Sequence, residues 1–153
     1  MSDAKRRAPA SAVGYSGKPL WQKLGLKARM RVHLSHAPPE YWDWCAFDEA
    51  SVDITAARKH DIEFVHVFAT SRAELGRDLK KLAPALASAG MLWISWPKKS
   101  SGVATDIIED TLRELALPLG LVDVKVCAVT EVWSGLKFVW RVERRASPAR
   151  KPS

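Results

Sequence analysis

Ile62-Glu63-Phe64-Val65-His66-Val67-Phe68-Ala69-Thr70, running directly into Ser71-Arg72-Ala73-Glu74-Leu75, decides the fold. The first nine residues are β-prone and apolar on both faces, as strands buried in a parallel sheet are. Ser71 then stands as a helix N-cap with Glu74 three residues on, the spacing of a capping box. Leu75, Leu79, Leu82 and Leu86 follow at helical period. A buried strand feeding a capped helix is the repeating unit of an α/β domain.

Working outward, the same alternation continues on both sides. Downstream, Pro84 is expected to kink or end the helix and Gly90 to close the turn before a second buried strand, residues 91–96 (MLWISW). Thr105 or a neighbour is expected to cap a helix running through Leu117, with Asp106, Glu109 and Asp110 near its positive end. Residues 122–130 and 136–142 read as two strands. The short turn between them, placed at Trp133-Ser134-Gly135, makes them antiparallel. Upstream come a short helix at 18–24 ended by Gly25, a strand at 30–35, a helix at 39–49 and a short strand at 52–55. The expected architecture is a single three-layer α/β Rossmann-like domain over residues 14–143. Its sheet is mostly parallel, with one antiparallel strand near the C-terminus. The expected order is 52–55, 30–35, 62–70, 91–96, 136–142, 122–130, since right-handed crossovers restrict the options. A methyltransferase-type Rossmann sheet ends on such a reversed strand, so the layout resembles a shortened one.

The chain carries a net charge of +7. Residues 1–13 hold +2 and residues 144–153 hold +4, leaving +1 on the body. Both ends are rich in Ala, Ser and Pro and lack apolar periodicity, so they read as disordered basic tails. Any nucleic-acid contact is expected to be weak and to run through those tails. No apolar stretch approaches the ~20 residues that span a bilayer, and no membrane contact is expected. The two cysteines, Cys45 and Cys127, are too few for a disulfide framework, which fits a reducing, cytoplasmic setting.

A Rossmann methyltransferase carries a glycine-rich loop after its first strand, where the backbone approaches the cofactor. Here that position reads Ser35-His36-Ala37-Pro38-Pro39-Glu40, and no glycine occurs between Gly25 and Gly76. The two prolines also remove amide donors. The loop argues against ordinary S-adenosylmethionine binding, and no cofactor is expected. No phosphate loop, HExxH pair or GxSxG elbow is present.

Several strings together resemble an uncharacterised bacterial domain-of-unknown-function family. They are Gly14-Tyr15-Ser16-Gly17-Lys18-Pro19-Leu20, then Trp96-Pro97-Lys98-Lys99 with Ser101-Gly102-Val103-Ala104-Thr105-Asp106. Lys23-Leu24-Gly25, Phe64-Val65-His66, Thr70-Ser71-Arg72-Ala73-Glu74-Leu75, Trp93-Ile94-Ser95 before Trp96, Val122-Asp123-Val124-Lys125-Val126-Cys127-Ala128-Val129 and Trp133-Ser134-Gly135-Leu136-Lys137 complete the set. The resemblance covers roughly residues 14–143 and implies no activity.

The segment from Trp96 to Asp106 leaves a strand end and enters a helix, where unpaired amides and partial positive charge attract anions. Trp96, Lys98, Lys99, Ser100, Ser101, Gly102 and Thr105 form the candidate anion site. His36, Ser71 and Trp133, at other strand ends, are secondary candidates. His33 and His36 would point to opposite faces of an extended strand, so no metal site is expected. His66, between Val65 and Val67, reads as a hydrogen-bonded core histidine. Lacking a convincing nucleophile, base and acid set, the chain is expected to be a non-catalytic module binding a small anionic ligand or a protein partner. The alternative is an enzyme acting on a phosphorylated or carboxylated small molecule, with Lys98, Lys99 and His36 at the reacting group.

Overall fold

The computed structural model describes residues 17–56 and 59–145, the side chains of 144 and 145 excepted. In chain order the elements are α1 (Leu20–Leu24), β1 (Arg31–Ser35), α2 (Tyr41–Cys45), β2 (Asp53–Ile54), β3 (Ile62–Phe68) and α3 (Arg72–Leu82). They continue with β4 (Leu86–Pro97), α4 (Glu109–Ala116), β5 (Leu121–Ala128), β6 (Trp133–Trp140) and α5 (Val142–Arg145). The expected tails lie outside the described residues, except that α5 carries the backbone to residue 145.

The six strands form one sheet in the order β2-β1-β3-β4-β6-β5. The first four are parallel, and β6 runs antiparallel to both β4 and β5. The expected order and the reversed strand are both found. Two cores flank the sheet. Under α3 and α4 lie aliphatic side chains, among them Val65, Val67, Leu75, Leu79, Ile94 and Leu112. Under α1 and α2 lie aromatic ones, including Tyr41, Phe64, Phe68 and Trp93, with Trp21, Trp42 and Trp44 packed around them.

Four local expectations need correction. The helix expected at 39–49 shrinks to Tyr41–Cys45. Ala46 turns left-handed at φ 58, and a 3-10 turn capped by Asp48 follows at Glu49–Ser51. The helix expected from Thr105 opens only at Glu109. Thr105 and Asp106 hydrogen-bond to the neighbouring α3 region instead. Gly90 closes no turn, because β4 already starts at Leu86. A Cβ there would stand 2.9 Å from the Ile62 carbonyl oxygen, so glycine permits close approach at a register shift between β3 and β4. The β5–β6 turn lies at residues 129–132, three to four residues before the expected one. Thr130 Oγ1 closes it by accepting from the Val132 and Trp133 amides. Gly135 is inside β6, where a Cβ would stand 3.1 Å from Val129 Cγ2 and 3.4 Å from the Trp93 ring. Both glycines look like turn punctuation but serve packing.

Candidate functional site

Strands β2 and β3 lie on opposite sides of β1, so the switch in strand order falls at the carboxyl end of β1 and β3. Open α/β sheets bind their ligands in the crevice at that point. The residues there are Ser35 and His36 after β1, and Thr70 and Ser71 after β3. His36 leaves the strand at φ 59, a left-handed turn made without glycine. Its side chain is 52% exposed, and its Nε2 lies 3.2 Å from Oδ2 of Asp78 on α3, a carboxylate only 14% exposed. A largely buried acid on α3 thus holds an open imidazole at the end of β1.

The N-terminus of α3 borders the same strand ends, and two of its first three amides are taken. Ser71 Oγ accepts from the Glu74 amide at 3.2 Å, as its capping position predicts. Asp106 Oδ1 accepts from the Arg72 amide at 2.7 Å. Thr105 Oγ1 donates to the Thr70 carbonyl at 2.7 Å and accepts from the Ile107 amide. Sequence reasoning assigned Asp106 the right chemistry, an acid at a helix N-terminus, but the wrong helix. The chain supplies its own anion to α3.

The candidate anion residues are therefore split between places. Trp96 is 7% exposed and packs into the core under α3 and α4. Residues Lys99–Ser101 make one 3-10 turn that ends on Gly102 at φ 78. Ser101 Oγ donates to the Lys98 carbonyl and accepts from the Val103 amide. Lys99 and Ser100 are exposed. The helix α4 opens only at Glu109, seven residues after Gly102. Ser71 and Thr105 meet beside Thr70. Lys98 meets the β6 side, donating its amide to the Val132 carbonyl at 2.7 Å. Trp133 is half-buried and stands edge-on to Phe68, ring centroids 5.1 Å apart.

A buried polar chain crosses the aromatic core. Tyr41 Oη lies 2.8 Å from His66 Nδ1, and His66 Nε2 lies 2.8 Å from Ser95 Oγ. Burial pushes the His66 pKa down to about 3, raises the Tyr41 phenol, and pushes Cys45 up to about 12. The neutral ring donates from one nitrogen and accepts at the other, so both are satisfied. Ser95 and His66 have the spacing of a nucleophile and its base, but both are 0% exposed, out of a substrate's reach. The sequence marks His66 as a core histidine. Its partners carry no local signal, since Tyr41 and Ser95 lie 25 and 29 residues away. Asp78 was missed for the same reason, lying 42 residues from His36. His33 points elsewhere, with Nδ1 2.8 Å from the Thr55 carbonyl.

No family model matches the sequence, and no curated protein matches it. Solved structures do share the fold. A putative type 11 methyltransferase from Sulfolobus solfataricus superposes with a TM-score of 0.56 at 13% identity, over 85% of this chain and 94% of that one. A SAM-dependent methyltransferase from Aquifex aeolicus gives 0.54 at 13% identity, over 90% and 98%. LepI in complex with SAM gives 0.45 at 14% identity, and the match spans only 39% of its length. The first two likenesses show the Rossmann-like methyltransferase fold. They also correct the expectation of a non-catalytic binding module. That expectation rested on the missing glycine loop and the lack of a nucleophile, base and acid set, whereas the neighbours that share nearly the whole architecture are named as methyltransferases. Among the described residues, no helix is long and apolar enough to cross a membrane.

Proposed function

We propose that this chain is a methyltransferase-type enzyme whose reaction crevice lies at the β1/β3 switch point, with His36 as the proton acceptor. The observation that carries this is a coincidence of place. The point where this sheet topology gathers ligands is also where a half-exposed histidine is held by a largely buried carboxylate. With Nε2–H donating to Asp78 Oδ2, Nδ1 is left as the acceptor. It could accept the proton of a hydroxyl or amine held at these strand ends, and Asp78 would stabilise the imidazolium formed.

S-adenosylmethionine is the methyl donor named for the Aquifex neighbour. The residues here do not fit it in the glycine-cradled manner. His36 places a Cβ and a ring at the turn, Pro38 and Pro39 have no N–H, and the Tyr41 amide is taken by the Pro38 carbonyl. Donor affinity is therefore expected to be weak, on the order of 0.1–1 mM, or ~4–5.5 kcal/mol.

The test is transfer of labelled methyl from S-adenosylmethionine to a panel of small hydroxyl and amine acceptors. Wild type should turn over, and His36→Gln should lose about 10²-fold or more in rate. No transfer by wild type would refute methyl transfer. Undiminished transfer by His36→Gln would refute the proton-acceptor role, and submicromolar donor binding would refute the reading of the loop.

A further inference from the structure

The sheet face under α1 carries lysines that the crevice does not use. Lys125 on β5 and Lys137 on β6 are directly opposite in register, so their side chains leave the same face side by side. The next pair along, Cys127 and Gly135, shares that face, and Trp93 of β4 lies beside Lys137 on it. Lys125 Nζ reaches across to the Lys23 carbonyl at the end of α1, 3.0 Å away. Lys98 approaches from the end of β4, and the charges of Lys23, Lys125 and Lys98 all act on the Cys127 thiol. None of these four lysines forms an ion pair with a carboxylate among the described residues. The nearby acids are used elsewhere or stand apart: Asp123 pairs with Arg113, and Glu131 is exposed in the β5–β6 turn. Burial, and then the charge of Lys125, lower the Lys137 pKa. Like charges directly opposite on a sheet are destabilising, so this arrangement is unfavourable for folding alone.

We infer that Lys23, Lys98, Lys125 and Lys137 form a contact surface for the phosphate backbone of a single-stranded nucleic acid. Charge complementarity is the first ground: one exposed and three half-buried lysines, none with a carboxylate partner among the described residues, gather on this face of a body whose net charge is only +1. Extent is the second. From Lys137 back along β6 to the level of Lys98 is roughly 15 Å, over which a stacked strand presents about four phosphates. A lone phosphate would engage one end of that span. This surface differs from the expected tail contacts and does not depend on methyl transfer.

Fluorescence anisotropy of the full chain with a labelled oligothymidylate of about 15 nucleotides, at about 50 mM and about 200 mM salt, tests it. Wild type should bind saturably. Lys125→Ala/Lys137→Ala should bind at least about tenfold more weakly, with its salt slope reduced by ~1.4, or ~0.7 per lost contact. A tail variant, Lys5→Ala/Arg6→Ala/Arg7→Ala/Arg150→Ala/Lys151→Ala, should lose less than the double variant. Thermal melts should show that the double variant stays folded. Four results would overturn the inference: no binding by wild type, unchanged binding by the double variant, loss confined to the tail variant, or equally effective competition by tripolyphosphate. The last would mark a small-anion site. None of them bears on methyl transfer, which the labelled-methyl assay reads separately.

Discussion

The two faces of the sheet are built from different materials. Beneath α3 and α4 the core is mostly Leu, Ile, Val and Ala, with Trp96, Phe138 and Trp140 among them, and those two helices are the longest in the described chain. Beneath α1 and α2 the helices have five residues each, the core is aromatic, and a tyrosine–histidine–serine chain runs through it. Helices that short contribute little stability of their own, so aromatic burial has to hold that side. The buried core on the aliphatic side contains no titratable side chain. The aromatic face holds the buried histidine and the lysine pair.

That contrast predicts different responses to pH. Leu79 is 1% exposed, and Leu79→Ala should cost about 2–5 kcal/mol at every pH. On the other face, the His66 pKa lies near 3 in the folded chain and near 6.5 when unfolded. The unfolded state therefore binds the proton first. Stability should be fully present above about pH 6.5 and fall as pH drops toward 3, by up to ~1.4 kcal/mol per unit. Tyr41→Phe should cost about 1–3 kcal/mol at neutral pH by leaving a ring nitrogen unsatisfied. Urea melts from pH 4 to 8, about the span that matters, read both effects. A Leu79→Ala penalty that varies with pH, or a His66→Gln chain that keeps the wild-type acid slope, would erase the distinction.

The faces were also unequally legible in sequence. Ser71, Glu74 and the leucine period announce α3, and the apolar runs announce β3 and β4, because strand and helix periodicities are local properties. Sheet order followed from the alternation and the final hairpin. The site was less legible because its contacts are long-range. His36 meets Asp78 on an element whose leucines, not its acid, stand out. The Lys125–Lys137 pair depends on a register fixed by the turn at residues 129–132, which the glycine at 135 misplaced. The left-handed residue Ala46 carries no glycine signal, so the early end of α2 was misread.

A smaller effect sharpens the comparison at the crevice. Asp106 reaches α3 from the loop before α4 and accepts from the Arg72 amide. Replacing it with Ala should cost about 1 kcal/mol, as loss of a helix cap does. Amide exchange at the first turn of α3 should quicken locally. Equal acceleration through α4 would instead mean that Asp106 supports its own helix, as the sequence alone suggests.

The smallest effect carries the opposite sign. Lys125 and Lys137 face each other across β5 and β6 without a carboxylate among the described residues. Removing one charge should therefore stabilise the chain. Lys137→Gln is expected to gain about 0.5 kcal/mol at low salt, since like charges directly opposite cost a few tenths to one. At ~150 residues that is a rise of about 1–2 °C in Tm, and salt should shrink it by screening the repulsion. The pH dependence follows from the lowered Lys137 pKa. Between the folded value and the unfolded ~10.4, the unfolded chain holds more protons, so wild type should gain stability as pH rises through that window. The glutamine variant should not. A Lys137→Gln chain less stable than wild type at low salt would mean that the lysine stem contributes more by packing than its charge costs. The repulsive pair would then be no ground for a phosphate-binding surface on this face.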